Sequence, residues 1–572
     1  MERRKFLVQG SLTVAALTGA VSLAPRLCFA GVPAQETGSG ACHGEAWESV
    51  EVDTKYGRIR GQRRGNLVSF KGVPYAGPVS GANRFMAAPP LQPWTGVRDA
   101  LQWAPPSLQP GHGYYGFNEP DPQENCLFLN LYMPATPGKK RPVMVFNHGG
   151  GFSSGSGASV DHDGGNLACY HDVVVVETNH RLGLLGFLFL GELGGEEYAT
   201  SGNQGMLDIR DALKWVHDNI EAFSGDPGNV MIFGESGGGA KTSCLYAMPS
   251  AQDYFNKAAI QSGPGLRLME RDAAAETALM TLQYLGLGKN EWRKLLEVPA
   301  AKLLEAQDAL PRRSGAGMPM GAGRRGISMS RAGFFSPVVD GAILTQHPFD
   351  PAPPEFSKNK PILVGTNHDE MNLMFLQQPA VYQLTADSLK ERMAREFGKD
   401  ADTILNTYRE SRPGASPVDL YIAITTATSF WLGSITLAER KFAQGGAPVY
   451  MYRFDHQSDW IIPGTKYPIG CCHAMDLPYV FDNVYTDVSR PPQGVATMYS
   501  MLGSDPNNVK LAHTVSELWA SFARTAHPGA NGVPEWPAYT TATRATMSIN
   551  NQCKVLDDPC ALERKMWQSL NS

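Results

Sequence analysis

Residues 229–248 read NVMIFGESGGGAKTSCLYAM, with a serine at position 236. The apolar run at 229–233 is typical of a buried strand, and residues 239–248 can form a helix. Between them, residues 234–238 match the pattern G-x-S-x-G, in which a tight turn from strand to helix exposes the serine oxygen above a sheet. The stretch therefore predicts an α/β sheet with Ser236 as a nucleophile at the end of one strand.

The same five-residue pattern occurs a second time, because residues 151–155 read GFSSG around Ser153. That serine follows a glycine triplet and precedes more glycine and serine, with no helix-forming segment after it. A nucleophile turn needs a strand before it and a helix after it. We therefore predict Ser236 as the nucleophile and keep Ser153 as the alternative.

A glycine-rich segment lies upstream of Ser236, where HGGGF directly follows the apolar run at 142–147. Acyl transfer requires N–H donors for the negative charge that develops on the attacked carbonyl oxygen. Glycines allow consecutive N–H groups to point at one position, which predicts Gly150 and Gly151 as donors and Gly237 as a third. The alternative is an ordinary glycine turn after a strand, although loops of the HGGG type serve as such donors upstream of a serine turn.

A serine nucleophile also needs a histidine base and an acidic residue that orients it. The base is expected after Ser236, where His473 lies in a loop and His456 ends a strand-like run. The other histidines in this part of the chain are His347, His368, His513 and His527, and the last two fall in or at the end of a helical stretch, as surface or packing residues do. Asp369 and Glu370 both follow an apolar run, and their spacing does not choose between them. Most carboxylates are solvated surface charges, so either residue also fits an ordinary loop position.

Short apolar runs without regular alternation recur along the chain, as in strands that are buried on both faces. Segments with helical spacing lie between them, most clearly at 203–223. This alternation predicts an α/β fold with a mostly parallel central sheet and helices on both faces, preceded by an antiparallel sheet edge. We interpret two segments rich in helix formers, 266–335 and 371–445, as helical insertions over the active site. The apolar runs lie at 142–147, 173–177, 229–233, 258–261 and 361–365.

The composition excludes several classes of partner. Apolar residues make up 42% of the 572 residues, which is enough for a large buried core. The formal net charge is −5 and no dense basic stretch is present, so we expect neither nucleic acid nor an anionic membrane surface as a partner. No apolar run beyond the N-terminus approaches the roughly 18 residues of a membrane span, so we expect none in the mature protein.

Residues 1–30 have the features of a signal peptide, and Ala30 offers a small residue for cleavage. The N-terminus reads MERRKFL, and paired arginines followed by Phe-Leu resemble a twin-arginine export signal. An ordinary secretory signal or an N-terminal anchor is the alternative. We therefore predict export from a bacterial cytoplasm, to the periplasm or outside, with a linker at 31–46 and one catalytic domain at 47–572.

Nine cysteines are present, and eight remain if residues 1–30 are removed. In an oxidising compartment they can form disulfides, and Cys553 and Cys560 are close enough in sequence to pair. A bond between the adjacent Cys471 and Cys472 would be strained. The spacing does not decide the pairing, and several buried free thiols are an equal alternative.

Several segments together resemble the type-B carboxylesterases, the cholinesterase-like branch of the α/β-hydrolases. Residues 124–130 read ENCLFLN and are similar to the family signature E-D-C-L-x-L-N, with Asn125 in place of the aspartate. Residues 233–238 read FGESGG and are similar to F-G-E-S-A-G, with Gly237 in place of the alanine. The segments GNQGMLD and FSGDP match as well, so the resemblance covers nearly the whole chain beyond the N-terminus.

The resemblance implies the α/β-hydrolase fold and a serine hydrolase that cleaves carboxylic esters through an acyl-enzyme intermediate. It implies a small-molecule ester as substrate and neither metal nor cofactor. The family's acid is the glutamate of a G-x-N-x-x-E segment, which falls on Glu370, and its histidine lies in a G-x-x-H segment, which falls on His473. Ser262 matches a serine that lies near the catalytic residues in the family.

The sequence departs from the family pattern at three further places, one of which is Met371 after Glu370, where the family often has glycine. Ser107 stands where the family usually has a cysteine paired with the one that matches Cys126, so that disulfide cannot form. The segment between these two residues has no tryptophan, which cholinesterases use to bind quaternary ammonium, so a choline ester is not the expected substrate. The aromatic residues that could replace the tryptophan are Tyr114, Tyr115 and Phe117.

Other functions are compatible with the same residues. An amidase, a carbamate hydrolase or a specialised detoxifying esterase would use the same catalytic residues with a different pocket. A non-catalytic binding module of the cholinesterase-like type would typically lack one catalytic residue, whereas serine, acid and histidine are all present here. The sequence does not indicate the oligomeric state.

Overall fold

The computed structural model of the protein describes residues 46–109, 120–136, 140–313, 331–484 and 498–571. The predicted signal peptide at 1–30 and the linker up to residue 45 lie outside the described residues, as do Tyr114, Tyr115 and Phe117. The signal peptide, its cleavage and export therefore stay predictions, and so does the aromatic replacement for the missing tryptophan.

The described residues contain fifteen β-strands. They are β1 (Glu48–Thr54), β2 (Gly57–Arg64), β3 (Leu67–Pro74), β4 (Val97–Asp99), β5 (Phe128–Pro134), β6 (Arg141–Asn147), β7 (Val174–Thr178), β8 (Gly225–Glu235), β9 (Lys257–Gln261), β10 (Ile362–Asn367), β11 (Val449–Phe454), β12 (Ser458–Ile461), β13 (Pro468–Gly470), β14 (Thr546–Ile549) and β15 (Lys554–Leu556).

Fifteen α-helices are found in the same part of the chain, joined in places by short 3₁₀ turns. They are α1 (Gly165–His171), α2 (Gly183–Phe187), α3 (Gly191–Gly194), α4 (Gln204–Asn219), α5 (Gly237–Tyr246), α6 (Arg271–Tyr284), α7 (Ala300–Arg313), α8 (Met371–Phe375), α9 (Ala386–Phe397), α10 (Ala401–Ser411), α11 (Pro417–Thr426), α12 (Leu432–Gln444), α13 (Leu477–Val480), α14 (Asn508–Thr525) and α15 (Ala561–Asn571).

One 13-stranded sheet organises the fold, in the order β1-β2-β3-β5-β7-β6-β8-β9-β10-β11-β14-β15, with β4 paired to β2. The seven consecutive strands from β7 to β14 in that order are parallel, whereas the pairs at both edges are antiparallel apart from β2 with β4. Every residue of β6, β7, β9 and β10 is buried. Both faces of the parallel part are therefore covered, as predicted from the apolar runs.

The register of the parallel strands brings their carboxyl ends to one edge of the sheet. Asn147 at the end of β6 lies opposite Gly234 of β8. Gln261 at the end of β9 lies opposite both Glu235 and Gly365. The residues that follow these strands therefore emerge side by side, which is where ligands bind in open α/β sheets.

The two predicted insertions are helical in the described residues. The first contains α6 and α7, and the second contains α8 to α12. By length and composition, the helical stretch Pro417–Gln444 is apolar enough to cross a membrane, so the expected absence of a membrane span stays a prediction. The stretch is weak support for a membrane span, because 78% of its most apolar window is buried inside the protein, as in a core helix.

The cysteines of the described residues include six free thiols: Cys126, Cys244, Cys471, Cys472, Cys553 and Cys560. The bond considered between Cys553 and Cys560 is therefore not formed. Cys126 lies beside Ser107, and burial raises the pKa of its thiol to about 12. The Ser107 hydroxyl accepts a hydrogen bond from the N–H of Leu182 at 3.0 Å. A serine–cysteine contact thus occupies the position of the usual disulfide.

A buried ion pair attaches α4 to the loop after β7. The Arg181 guanidinium donates to both carboxylate oxygens of Asp208, at 2.7 and 2.8 Å, and also to the carbonyl oxygen of Met86 at 2.7 Å. Arg181 is 1% exposed and Asp208 is fully buried. Removing one partner of such a pair leaves an uncompensated charge in a medium of low dielectric constant.

We predict that Asp208→Ala lowers the free energy of unfolding by about 3–5 kcal/mol. The matched control is Asp211→Ala on the same helix, which removes a partly exposed partner of Arg210 and is expected to cost about 1 kcal/mol or less. Urea denaturation followed by circular dichroism measures both values. Equal losses in the two variants would contradict the role of the buried pair.

Candidate active site

Ser236 occupies the turn between β8 and α5. Its backbone has φ 57° and ψ −122°, a conformation that non-glycine residues rarely adopt. Two backbone hydrogen bonds hold the turn: Ser236 N–H donates to Gln261 at 2.9 Å, and Ala240 N–H donates to the Ser236 carbonyl at 3.1 Å. The predicted turn from strand to helix is therefore present around this serine.

Glycines next to the turn allow very close approach of neighbouring backbone. A Cβ at Gly237 would overlap the backbone of Gly151, and a Cβ at Gly238 would overlap the carbonyl oxygen of Asn147. A Cβ at Gly263 would overlap the Ser236 carbonyl. These contacts bring the loop after β6 against the start of α5.

His473 and Glu370 lie in line with Ser236, as the resemblance implied. His473 Nε2 is 2.8 Å from Ser236 Oγ, and His473 Nδ1 is 2.5 Å from Glu370 Oε2. Glu370 is fully buried, and its other oxygen accepts the N–H of Asn367 at 2.8 Å. Because a carboxylate only accepts, the proton of the neutral imidazole belongs on Nδ1, which leaves Nε2 free to accept the serine proton.

The alternative residues are engaged elsewhere. Asp369 bonds to the ring of its neighbour His368 at 2.7 Å and accepts the N–H of Cys471 at 3.2 Å. His456 is buried and bonds to Asn508 at 2.7 Å. Ser153 lies in a turn that no helix follows.

The glycine loop after β6 has the conformation expected of a donor site. Gly150 and Gly151 have φ of 80° and 63°, in the left-handed region that favours glycine. The loop closes through Ser154, whose N–H and hydroxyl both donate to the Gly150 carbonyl at 3.1 Å. Gly237 begins α5, so its N–H is one of the helix-terminal donors without an acceptor in the helix.

Ser262 lies beside the turn but makes no described contact with the three aligned side chains. It is fully buried with φ 46°, and its N–H donates to the Gly365 carbonyl at 2.9 Å. Its hydroxyl has no hydrogen-bond partner among the described residues. Its observed contact is therefore with the backbone of β10.

Glu235, inside the quoted pentapeptide, is a site residue that the sequence reasoning missed. Its Oε1 lies 3.3 Å from His473 Nε2, and the side chain is 1% exposed. Burial raises the pKa of the Glu235 carboxyl to about 8. Burial acts to lower the pKa of His473, but the carboxyl groups of Glu235 and Glu370 outweigh it and raise this pKa to about 9. The surrounding carboxyl groups thus stabilise positive charge on the imidazole.

Lys241 is a second missed residue. It lies on α5, is fully buried, and its Nζ donates to the carbonyl oxygens of His148 and Gly149 at 2.9 and 3.5 Å. Burial lowers the pKa of Lys241 well below its ordinary range. Nζ–H donates in either protonation state, so Lys241 ties α5 to the first residues of the glycine loop.

An aromatic ring from the second insertion contacts the imidazole. Phe430 belongs to the π-helical turn Ala427–Trp431 between α11 and α12, and its ring centroid is 4.7 Å from that of His473. At least this part of the insertion therefore lies over the site, as predicted for it. The arrangement as a whole combines a serine oxygen, a base, a buried acid and unsatisfied N–H groups, which is the equipment for acyl transfer.

Comparison with known proteins agrees with this chemistry. A model of the Carboxylesterase family matches residues 48–567. The chain is 35% identical to the para-nitrobenzyl esterase of Bacillus subtilis (strain 168), over 90% of this chain and 97% of that protein. It is 32% identical to the fumonisin B1 esterase of Sphingopyxis macrogoltabida, over 85% of this chain and 84% of that protein.

The fold is similar to that of solved carboxylesterases. The crystal structure of the Geobacillus stearothermophilus carboxylesterase at pH 6.2 superposes with a TM-score of 0.75 and 36% identity, and covers 91% of this chain and 100% of that chain. The predicted α/β-hydrolase fold and the resemblance to type-B carboxylesterases are thereby confirmed. The chain belongs to the carboxylesterase family and is a carboxylic ester hydrolase.

Proposed function

We propose that the protein hydrolyses small carboxylic esters through an acyl-enzyme on Ser236, with His473 as general base and acid and Glu370 as its orienting acid. The observation that carries the proposal is the continuous alignment of these side chains, with 2.8 Å from serine to imidazole and 2.5 Å from imidazole to carboxylate. A non-catalytic binding module has no need of this alignment.

The first step is attack on the ester carbonyl by Ser236 Oγ, whose proton passes to His473 Nε2. Glu370 accepts from Nδ1, keeps the imidazole in the required tautomer and stabilises the imidazolium that forms. Glu235 lies 3.3 Å from Nε2 of the same imidazole and contributes to the raised pKa of His473. These carboxyl groups therefore stabilise the positive charge that appears in the transition state.

The negative charge on the carbonyl oxygen is bound by the N–H groups of Gly150, Gly151 and Gly237. Preorganised backbone donors of this kind need no reorganisation as the charge develops. His473 then donates its proton to the departing alcohol, which leaves the acyl group bonded to Ser236. Water repeats the cycle with His473 as base, releases the carboxylic acid and restores the serine.

The relatives guide the choice of test substrates. By their names, one relative acts on a para-nitrobenzyl ester and another acts on fumonisin B1. For the present chain we propose p-nitrophenyl acetate and butyrate as probes, because their hydrolysis as carboxylic esters is followed directly through the released p-nitrophenol. Amides and carbamates belong in the same panel, because the same attack would cleave them.

We predict that Ser236→Ala lowers kcat for p-nitrophenyl acetate by about 10⁴- to 10⁶-fold, because the nucleophile is removed. Ser153→Ala is the matched control, since it removes the serine of the second G-x-S-x-G pattern, and its kcat should stay within about threefold of the parent. Steady-state release of p-nitrophenol measures both. Full activity of the Ser236 variant would refute the assignment, and faster turnover of amides than of esters would refute the ester preference.

We also predict that Lys241→Met lowers kcat by about 10- to 100-fold with little change in KM. Removing one oxyanion donor directly lowers kcat by about 10²- to 10³-fold. The effect of Lys241→Met should be smaller, because it removes only the hydrogen bonds to His148 and Gly149 that hold the loop with two donors. The control is Lys441→Met, because Lys441 is also fully buried and donates to backbone carbonyls, at Lys358 and Ser357. Equal losses of kcat in both variants would indicate a general effect on stability.

A further inference from the structure

Two histidines and an aspartate meet on the side of the fold where α1 and α14 pack together. His171 is the last residue of α1, His513 lies on α14, and Asp482 follows α13. Asp482 Oδ2 is 3.4 Å from His171 Nε2 and 2.6 Å from His513 Nδ1. One ligand atom from each side chain lies within 4.8 Å of the other two. Three elements that are distant in sequence therefore present N and O donors to one point.

A second carboxylate fixes the ring of His171. Glu517 Oε2 is 2.9 Å from His171 Nδ1, and the other Glu517 oxygen accepts from Arg524. The contact of His171 with Glu517 is shorter than its 3.4 Å contact with Asp482. We therefore place the proton of neutral His171 on Nδ1, toward Glu517, so that the Nε2 lone pair faces Asp482. Metal-bound histidines have this arrangement, in which the outer nitrogen donates to a carboxylate that orients the ring.

The three ligand atoms around Asp482 are close enough to share one cation. A neutral His171 with its proton on Nδ1 would direct a lone pair at a buried carboxylate, which is 3% exposed. Either a second proton on His171 Nε2 or a metal ion between Nε2 and the carboxylate would remove the repulsion between the lone pair and Asp482. His513 is 50% exposed and can rotate, which gives an ion an entry path.

The donor set selects among metals. Imidazole nitrogen combined with one carboxylate suits Zn²⁺, whereas Ca²⁺ and Mg²⁺ prefer oxygen ligands alone. Bonds of about 2.0–2.2 Å to a tetrahedral ion place neighbouring ligands roughly 3.4 Å apart. The contact between His171 and Asp482 already has this spacing, and only His513 must move outward from Asp482.

We propose that His171, Asp482 and His513 form a Zn²⁺ site, with Glu517 orienting His171 and water completing the coordination. The site is separate from the residues that act on the ester. Asp482 is the last residue of the segment 473–482, which begins with His473. The neighbouring Phe481 packs on Phe233 of β8, with ring centroids 5.6 Å apart. Zn²⁺ would therefore tie α1 and α14 to the segment that carries the base, and its expected effect is on stability.

The test uses untagged full-length protein treated with chelator, and ZnSO₄ as the probe. Isothermal titration should give one equivalent of Zn²⁺ with micromolar or tighter affinity, and the unfolding midpoint should rise with Zn²⁺ concentration, since binding to the folded state stabilises it. Co²⁺ in place of Zn²⁺ should give visible absorption bands of a tetrahedral site with nitrogen ligands.

Variants locate the binding. His513→Gln and Asp482→Asn should weaken Zn²⁺ binding by more than 100-fold, and Glu517→Gln by about 10- to 100-fold. His217→Gln is the matched control, because His217 forms an exposed contact with Asp218 without a second histidine, and it should bind as the parent does. The proposal is overturned if the parent binds no Zn²⁺ at 100 μM (about the upper limit of useful affinity) or if the two ligand variants bind as tightly as the parent.

Discussion

The backbone turn at Ser236 is the constraint on which the rest of the site depends. A non-glycine residue at φ 57° is held against a strain of about 1–3 kcal/mol, so its surroundings must fix it. The parallel strands β6, β8 and β9 pair in register and fix the backbone that leads into this turn. Close contacts between backbone segments around the turn leave no room for a Cβ at Gly237, Gly238 or Gly263. The serine oxygen and the donor loop are therefore positioned by the same close contacts.

Burial of charge is the second feature that organises the site. Glu370, Glu235 and His473 are almost completely excluded from water, so each affects the protonation of the others strongly. Two carboxyl groups around one imidazole favour its protonated form, which the reaction produces transiently. On the opposite side of the turn, buried Lys241 holds the first carbonyls of the donor loop. These polar side chains are all buried and contact one another or the backbone of the site.

Much of this could be predicted from the sequence, because the relevant signals are local. Apolar runs identified β6 to β10, and the strand before Ser236 and the helix after it separated that residue from Ser153. The spacing of Asp369 and Glu370 did not choose between them, and only the family resemblance favoured Glu370. In the structure the two adjacent side chains contact different histidines, and His473 meets Glu370.

Glu235 and Lys241 escaped prediction for a related reason. Both lie within or just after the quoted motif, yet nothing in a linear pattern reveals that a charged side chain is buried or which backbone it reaches. The length of the helical stretch Pro417–Gln444 was likewise not predicted, because polar residues interrupt its apolar residues in the sequence. Features that depend on contacts between distant segments require the folded structure.

Ser236 alone is proposed as the nucleophile, and covalent labelling of the folded protein can show this. The parent protein would be treated with a fluorophosphonate, and the modified residue would be mapped by mass spectrometry of its peptides. We expect one adduct per chain, on Ser236. An adduct on Ser153 or another residue, or no adduct on a folded protein, would contradict it.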